Sequence, residues 1–296
     1  MRWRAGSGAD GLALLGALLL ASALLAGPRL LDGTGGGLPL VRLALGLGGA
    51  TLLLPRVVGL VRQAVRDRQA LSQCYGAHLT IVGLTLLVAV GSLGVVLPVL
   101  LLLPGARQPS VLGFLLSAVV LNVALVAVVY YVVVRPRIIT WRDMGLTPAA
   151  LAAAWRTGLI AAPVLFVIAV AVELLLRSLG VQQTQLASLE WLRGVPFWQY
   201  ALVVLCAAVL APIAEEIYFR GYVFRAYLAQ KGPLQAYLFS SLLFAVAHLN
   251  LPALVPIFCV GLFLAYLYHR TGSVLPGMIA HGFNNLVAFT ALYLAL

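Results

Sequence analysis

Two adjacent carboxylates, Glu215 and Glu216, sit inside a long apolar segment of a chain that has only eight acidic residues among 296. Ionisable groups at membrane depth are costly to keep and mark functional sites. Arg220 follows Glu216 by four residues. On a helix the two share a face and can pair, which keeps one buried carboxylate charged. Glu215 is rotated about 100° from Glu216 on an ideal helix and is free for a different task. Downstream, Phe244 and His248 are four apart, and so are His281 and Asn285. These spacings place an aromatic wall beside one imidazole and a side-chain amide beside the other. A carboxylate, two imidazoles and an amide around a water-filled pocket fit peptide-bond hydrolysis without a covalent nucleophile. Glu215 would take a proton from water, and His248 would help to hold or deprotonate that water. His281 and the Asn285 amide would donate to the developing oxyanion. Each group alone has a plainer use. A Glu–Arg pair can be a structural tie, a lone membrane histidine a packing hydrogen bond, and Asn284 or Asn285 interhelical glue. Their combination carries the chemical reading.

The elements that must position these groups are membrane helices. Apolar residues make up 63% of the chain and charged residues 9%, against roughly 45–50% and 25% in soluble domains. The net charge of +11 does not point to nucleic acid, because the basic residues lie between apolar runs. Apolar runs predict nine spans: residues 11–27, 39–60, 79–103, 111–134, 158–176, 197–229, 234–249, 254–268 and 274–294. The count is eight if the first is a cleaved signal with Ala21-Ser22-Ala23 at its end. Lipid leaves helices as the only open solution for the backbone, so the fold class is an all-α polytopic bundle. With a cytoplasmic N-terminus, 14 of the 19 basic residues fall on the cytoplasmic side, as the positive-inside rule requires. Glu215 and His248 each lie 14 residues from the cytoplasmic end of their helix, or about 20 Å. His281 comes out at a similar depth, roughly 16 Å. The polar, proline-marked link from Arg135 to Pro148 divides the chain into residues 1–135, an N-terminal extension without evident chemistry, and residues 136–296, which hold all of it. Residues 178–197 form the longest polar connection, suited to the membrane surface. Gly33–Gly37 lacks the Lys-Ser/Thr of a phosphate loop. Cys74, Cys206 and Cys259 are isolated and match neither a zinc knuckle nor a disulfide framework.

The three motifs in order, Glu215-Glu216-x-x-x-Arg220, Phe244-x-x-x-His248 and His281-x-x-x-Asn285, resemble the CPBP family of CAAX-processing and bacteriocin-processing intramembrane proteases, also called Abi. The resemblance covers roughly residues 140–296 and includes Met144-Gly145-Leu146, similar to a short motif often found ahead of the family's core. It implies a glutamate-dependent intramembrane endopeptidase in which Glu215 and His248 activate water and His281 and Asn285 stabilise the oxyanion. It further implies a membrane-associated protein or peptide as substrate, a CAAX terminus among the candidates. Such a protein would reside in the lipid bilayer, in a bacterial plasma membrane on the weak hint of arginine outnumbering lysine. The family is often grouped with metalloproteases. If a metal such as zinc is present, Glu215, His248 and His281 would hold it; the preferred mechanism requires no cofactor. Two other classes compete. One is a catalytically silent scaffold or immunity factor of the same fold. The other is an ion-coupled transporter, disfavoured because no paired halves are visible.

Overall fold

The computed structural model describes residues 110–181, 194–248 and 253–295, with Leu192, Asn250 and scattered positions between Ile81 and Val96. Every regular element among the described residues is helical, and four of the helices are long and apolar enough to cross a membrane. The protein is thus an all-α integral membrane protein. The first two expected spans lie outside the described residues, as does most of the polar connection 178–197. The third span is described only in part.

Helix α1 spans Val111–Val134. Its N-cap, Ser110, accepts a hydrogen bond from the Gly113 backbone N–H at 3.1 Å, satisfying one of the orphan donors of a first turn. Helix α2, Pro148–Ser178, starts about ten residues before the expected Gly158. The reason is local. Thr147 caps the Ala150 N–H at 3.2 Å, Pro148 occupies the first turn, where it has no hydrogen bond to lose, and the alanine-rich stretch behind it is strongly helix-forming. At 31 residues α2 is about 47 Å long, more than a hydrocarbon core of about 30 Å. Helix α3, Phe197–Lys231, is the longest at 35 residues. It ends at Gly232, whose φ of 87° is open to glycine. Helix α4, Pro233–Ala247, has only 15 residues, or about 22 Å. It is shorter than a typical full span and lies within two residues of the expected 234–249 at each end. Helices α5, Leu254–Thr271, and α6, Leu275–Ala295, complete the bundle.

Side chains from α1, α3, α4, α5 and α6 share one buried core, which includes Val129, Tyr222, Phe244, Leu264 and Ala280. Facing outward are apolar ridges such as Leu234, Leu238, Leu242 and Val246 on α4. Contiguous apolar surface of that kind suits hydrocarbon rather than water.

The link between α1 and α2 is clamped. Asp143 accepts hydrogen bonds from both the backbone N–H and the hydroxyl of Thr140, at 2.8 and 2.7 Å. These bonds hold its carboxyl below the usual carboxylate range. Arg225 of α3 donates to the Asp143 carbonyl at 2.6 Å. Met144, fully buried, packs so closely on α3 that a Cβ at Gly221 would lie 2.8 Å from its sulfur. Its carbonyl accepts from Val274 N–H at 3.0 Å. The α1–α2 link, the last turns of α3 and the α5–α6 turn therefore meet at one end of the bundle.

Candidate active site

The catalytic candidates on α3 are carried by an irregular helix. The segments Cys206–Leu210 and Glu216–Phe224 are π-helical, a rare geometry that recurs at functional sites. Pro212 explains part of it, since proline removes a ladder donor and crowds the preceding turn. Ala211 N–H reaches back five residues to Cys206 O. In that register the donor for Ala207 O would come from residue 212, which has none. The Asn285 side chain of α6 fills the gap, donating through Nδ2 to Ala207 O at 2.8 Å. Beside it, a Cβ at Gly282 would meet Ala208 O at 2.4 Å. Only glycine lets α6 come this close to α3.

One turn on, Glu216 and Arg220 form a fully buried ion pair. Arg220 Nη1 donates to Glu216 Oε1 at 2.9 Å, and Nη2 donates to the Gly261 carbonyl of α5 at 3.0 Å. The guanidinium also stacks on Phe244, with Cζ 4.4 Å from the ring centroid, a cation–π contact strengthened by burial. Charge, hydrogen bonds and an aromatic face together offset the desolvation of two ions.

The His281 imidazole lies between the two carboxylates. Its Nδ1 is 3.5 Å from Glu216 Oε1, and its Nε2 is 3.8 Å from Glu215 Oε2. Neither separation is a direct hydrogen bond. The two glutamates are inequivalent: the Glu216 side chain is 0% exposed and that of Glu215 13%, so Glu215 is the more accessible of the two. Glu215 Oε2, Glu216 Oε2, Arg220 Nε, Ser241 Oγ and His281 Nδ1 are all buried without a hydrogen-bond partner. Each such group typically costs about 1–3 kcal/mol, so their concentration here marks a site rather than a packed core.

His248 stands at the C-terminal cap of α4, with Nδ1 2.8 Å from the Phe244 carbonyl. A carbonyl only accepts, so Nδ1 carries the proton and the neutral ring offers Nε2 as an acceptor. The Phe244 ring meets His248 and His281 edge-on, at centroid distances of 4.8 and 5.7 Å. Among the described residues no hydrogen bond or ion pair links His248 to Glu215, so Phe244, rather than the glutamate, connects the two imidazoles. Nor do three His, Cys, Asp or Glu side chains gather as a metal-binding group among the described residues.

Two positions escaped the sequence reading. A Cβ at Gly277 would lie 2.6 Å from Glu216 Oε2, so the missing side chain of α6 is part of the carboxylate's cradle. Pro212 was visible three residues before Glu215, yet its effect depends on a carbonyl and an amide that come from different helices.

Fold and site together define a helical membrane protein with a buried, mixed-charge site of glutamate, histidine and arginine on α3, α4 and α6. Residues 196–287 match the Rce1-like family, described as type II CAAX prenyl endopeptidase Rce1-like. Over this segment the match supports the CPBP resemblance that the three motifs carry. The chain is 32% identical over 95 residues to a Bacillus subtilis (strain 168) protein named "Putative membrane peptidase YdiL". The alignment covers 32% of this chain and 37% of that protein, so the chain spans little more than a third of its relative's length. No solved structure matches significantly.

Proposed function

We propose that the protein is an intramembrane endopeptidase that hydrolyses a peptide bond in a membrane-associated protein or peptide, CAAX-type termini included. The observation that carries this reading is the His281 imidazole bracketed by two inequivalent carboxylates, one tied to Arg220 and fully buried, the other partly exposed. Glu215 takes a proton from water, and the resulting hydroxide attacks the scissile carbonyl carbon. His248 Nε2 accepts from that water and holds it. The carbonyl oxygen becomes an oxyanion, met by His281 and by the Asn285 N–H not committed to Ala207. The C–N bond then breaks, and the amine leaves with the proton stored on Glu215. Glu216 with Arg220 fixes the local field. The protein is multi-pass, with a cytoplasmic N-terminus, in a bacterial plasma membrane. The Rce1-like match over 196–287 supports the substrate class.

The test is cleavage of a panel of lipidated and unlipidated peptides by protein reconstituted in liposomes, comparing wild type with Glu215→Gln. Loss of roughly 10²-fold or more in rate is expected, the scale of general-base catalysis. Equal cleavage by both forms would remove Glu215 from the mechanism. Prior treatment with a chelator is expected to leave the rate unchanged, and zinc-restored loss would replace the water-activating step.

A further inference from the structure

The catalytic helix is also held from behind. Tyr218 lies between Glu216 and Arg220 in the second π-helical segment of α3, fully buried. Its hydroxyl is 2.8 Å from Oγ1 of Thr85, far upstream of the segment that matches the Rce1-like family. The direction of this bond is fixed by its neighbour. Thr85 Oγ1 donates its single proton to the Ile81 carbonyl at 2.8 Å, so it accepts from the Tyr218 O–H. Thr85 is itself buried, and it sits in a stripe with Ile81, Leu84, Val88, Ser92 and Val96, all buried and spaced by helical intervals. Three of these, Ile81, Leu84 and Val88, enter the same core as Tyr218, Phe219 and Tyr222.

We infer that Thr85 is a positioning residue for the site: through Tyr218 it sets the rotation of the π-helical segment and hence the aim of the two glutamates. A π-segment is intrinsically less favourable than an α-helix and persists where tertiary contacts hold it. Relaxing toward α-geometry would turn the residues on one side of the bulge relative to those on the other, and so shift the glutamates at its N-terminal edge against Tyr218 and Arg220. The rings of Phe219 and Tyr222, at 5.0 and 5.8 Å by centroid, pack against the Tyr218 ring and resist sideways motion. The Thr85 oxygen gives the Tyr218 hydroxyl a directional anchor, and in hydrocarbon that hydroxyl has no water to turn to. The inference rests on the endopeptidase reading for its link to turnover, but the geometry it invokes does not.

The experiment has two readouts on full-length protein in liposomes. One is kcat and KM for a cleaved peptide. The other needs no substrate: the rate at which a hydrophobic carbodiimide modifies Glu215, followed by peptide mass spectrometry. Thr85→Val is expected to lower kcat about tenfold with KM within about twofold, and to change the modification rate at least about threefold. Thr85→Ser, which keeps the hydroxyl, is expected to restore both. A purely structural role would lower the folded fraction and leave both values per folded molecule untouched. If Thr85→Val does not fold, Tyr218→Phe removes the same bond from its other end and is expected to shift the modification rate in the same direction. An unchanged Glu215 modification rate in the folded variant overturns the inference whatever the turnover, and so does failure of Thr85→Ser to restore it. If wild type cleaves nothing while the modification rate responds as described, the endopeptidase reading fails and the positioning role stands.

Discussion

Nδ1 of His281 lies 3.5 Å from Oε1 of Glu216, the same oxygen that accepts the Arg220 Nη1 hydrogen bond at 2.9 Å. That oxygen belongs to a fully buried pair, whereas Glu215 is partly open. The two neighbours should therefore fail differently. Glu216→Gln strands a buried guanidinium and is expected to lower stability by roughly 3–5 kcal/mol. Glu215→Gln leaves the ion pair intact and should unfold close to the wild-type temperature while losing turnover. Thermal unfolding in detergent, run beside single-turnover cleavage, separates them. A Glu216→Gln protein as stable as wild type would show that the pair is not what holds this part of α3.

Gly277 offers a steric test of the same carboxylate. An added Cβ would sit 2.6 Å from Glu216 Oε2, and the Arg220 bond leaves that side chain little freedom to retreat. Gly277→Ala is expected to cost about 1–3 kcal/mol, the usual scale of overpacking, and to lower kcat by displacing Glu216 from His281. Gly272→Ala is the contrast. Its Cβ meets nothing, but its φ of 66° is strained for alanine, so it should lower stability without altering kcat per folded molecule. Equal kcat in Gly277→Ala and wild type would mean that the cradle does not set the chemistry.

The helices were legible because apolar runs in lipid leave the backbone few options. The expected starts and ends of α1, α3, α5 and α6 lie within a few residues of the observed ones. The spacing argument likewise anticipated that Glu216 and Arg220 share a face and that His281 lies at the depth of the glutamates. Hydropathy alone does not mark the early start of α2, which the Thr147-Pro148 capping signal sets. What spacing does not contain is the approach between elements. Asn285 bonds Ala207 because a proline on another helix left that carbonyl free, and Thr85 has no chemical signature until Tyr218 is placed beside it. His248, four residues from Phe244, is tied to that residue's carbonyl rather than to Glu215.

The link ahead of α2 should give the bundle an acid-sensitive joint. The two Thr140 hydrogen bonds favour the ionised form of Asp143 and lower its pKa in the folded protein below the ordinary 3.8. A carboxyl with a depressed native pKa contributes its stability in full above the unfolded value and loses it as pH falls through the native one. The stability gap between wild type and Asp143→Asn should therefore be constant above about pH 5 and shrink as pH drops below about 4. Thermal unfolding across that range checks it, and a gap that widens toward acid would reverse the assigned sign. The effect should be small, because Asp143 is 44% exposed.

The Asn285–Ala207 bond carries a prediction about a pair of residues that do not touch in sequence. Asn285→Ala leaves a carbonyl without a donor in an apolar setting, expected to cost about 1–3 kcal/mol. Pro212→Ala restores a backbone N–H five residues after Ala207, in register with the π-type bond already made by Ala211. In that background the orphaned carbonyl has a second donor, so the stability cost of Asn285→Ala should shrink by about 1 kcal/mol or more, a positive coupling in a double-mutant cycle. Turnover should not follow stability. If Asn285 also meets the oxyanion, the double variant regains its unfolding temperature and stays slow, because a donor aimed at the reacting carbonyl is absent however well α3 is capped. Recovery of both would leave Asn285 as a helix tie alone, and recovery of neither would mean that Pro212 is not the reason for the free carbonyl.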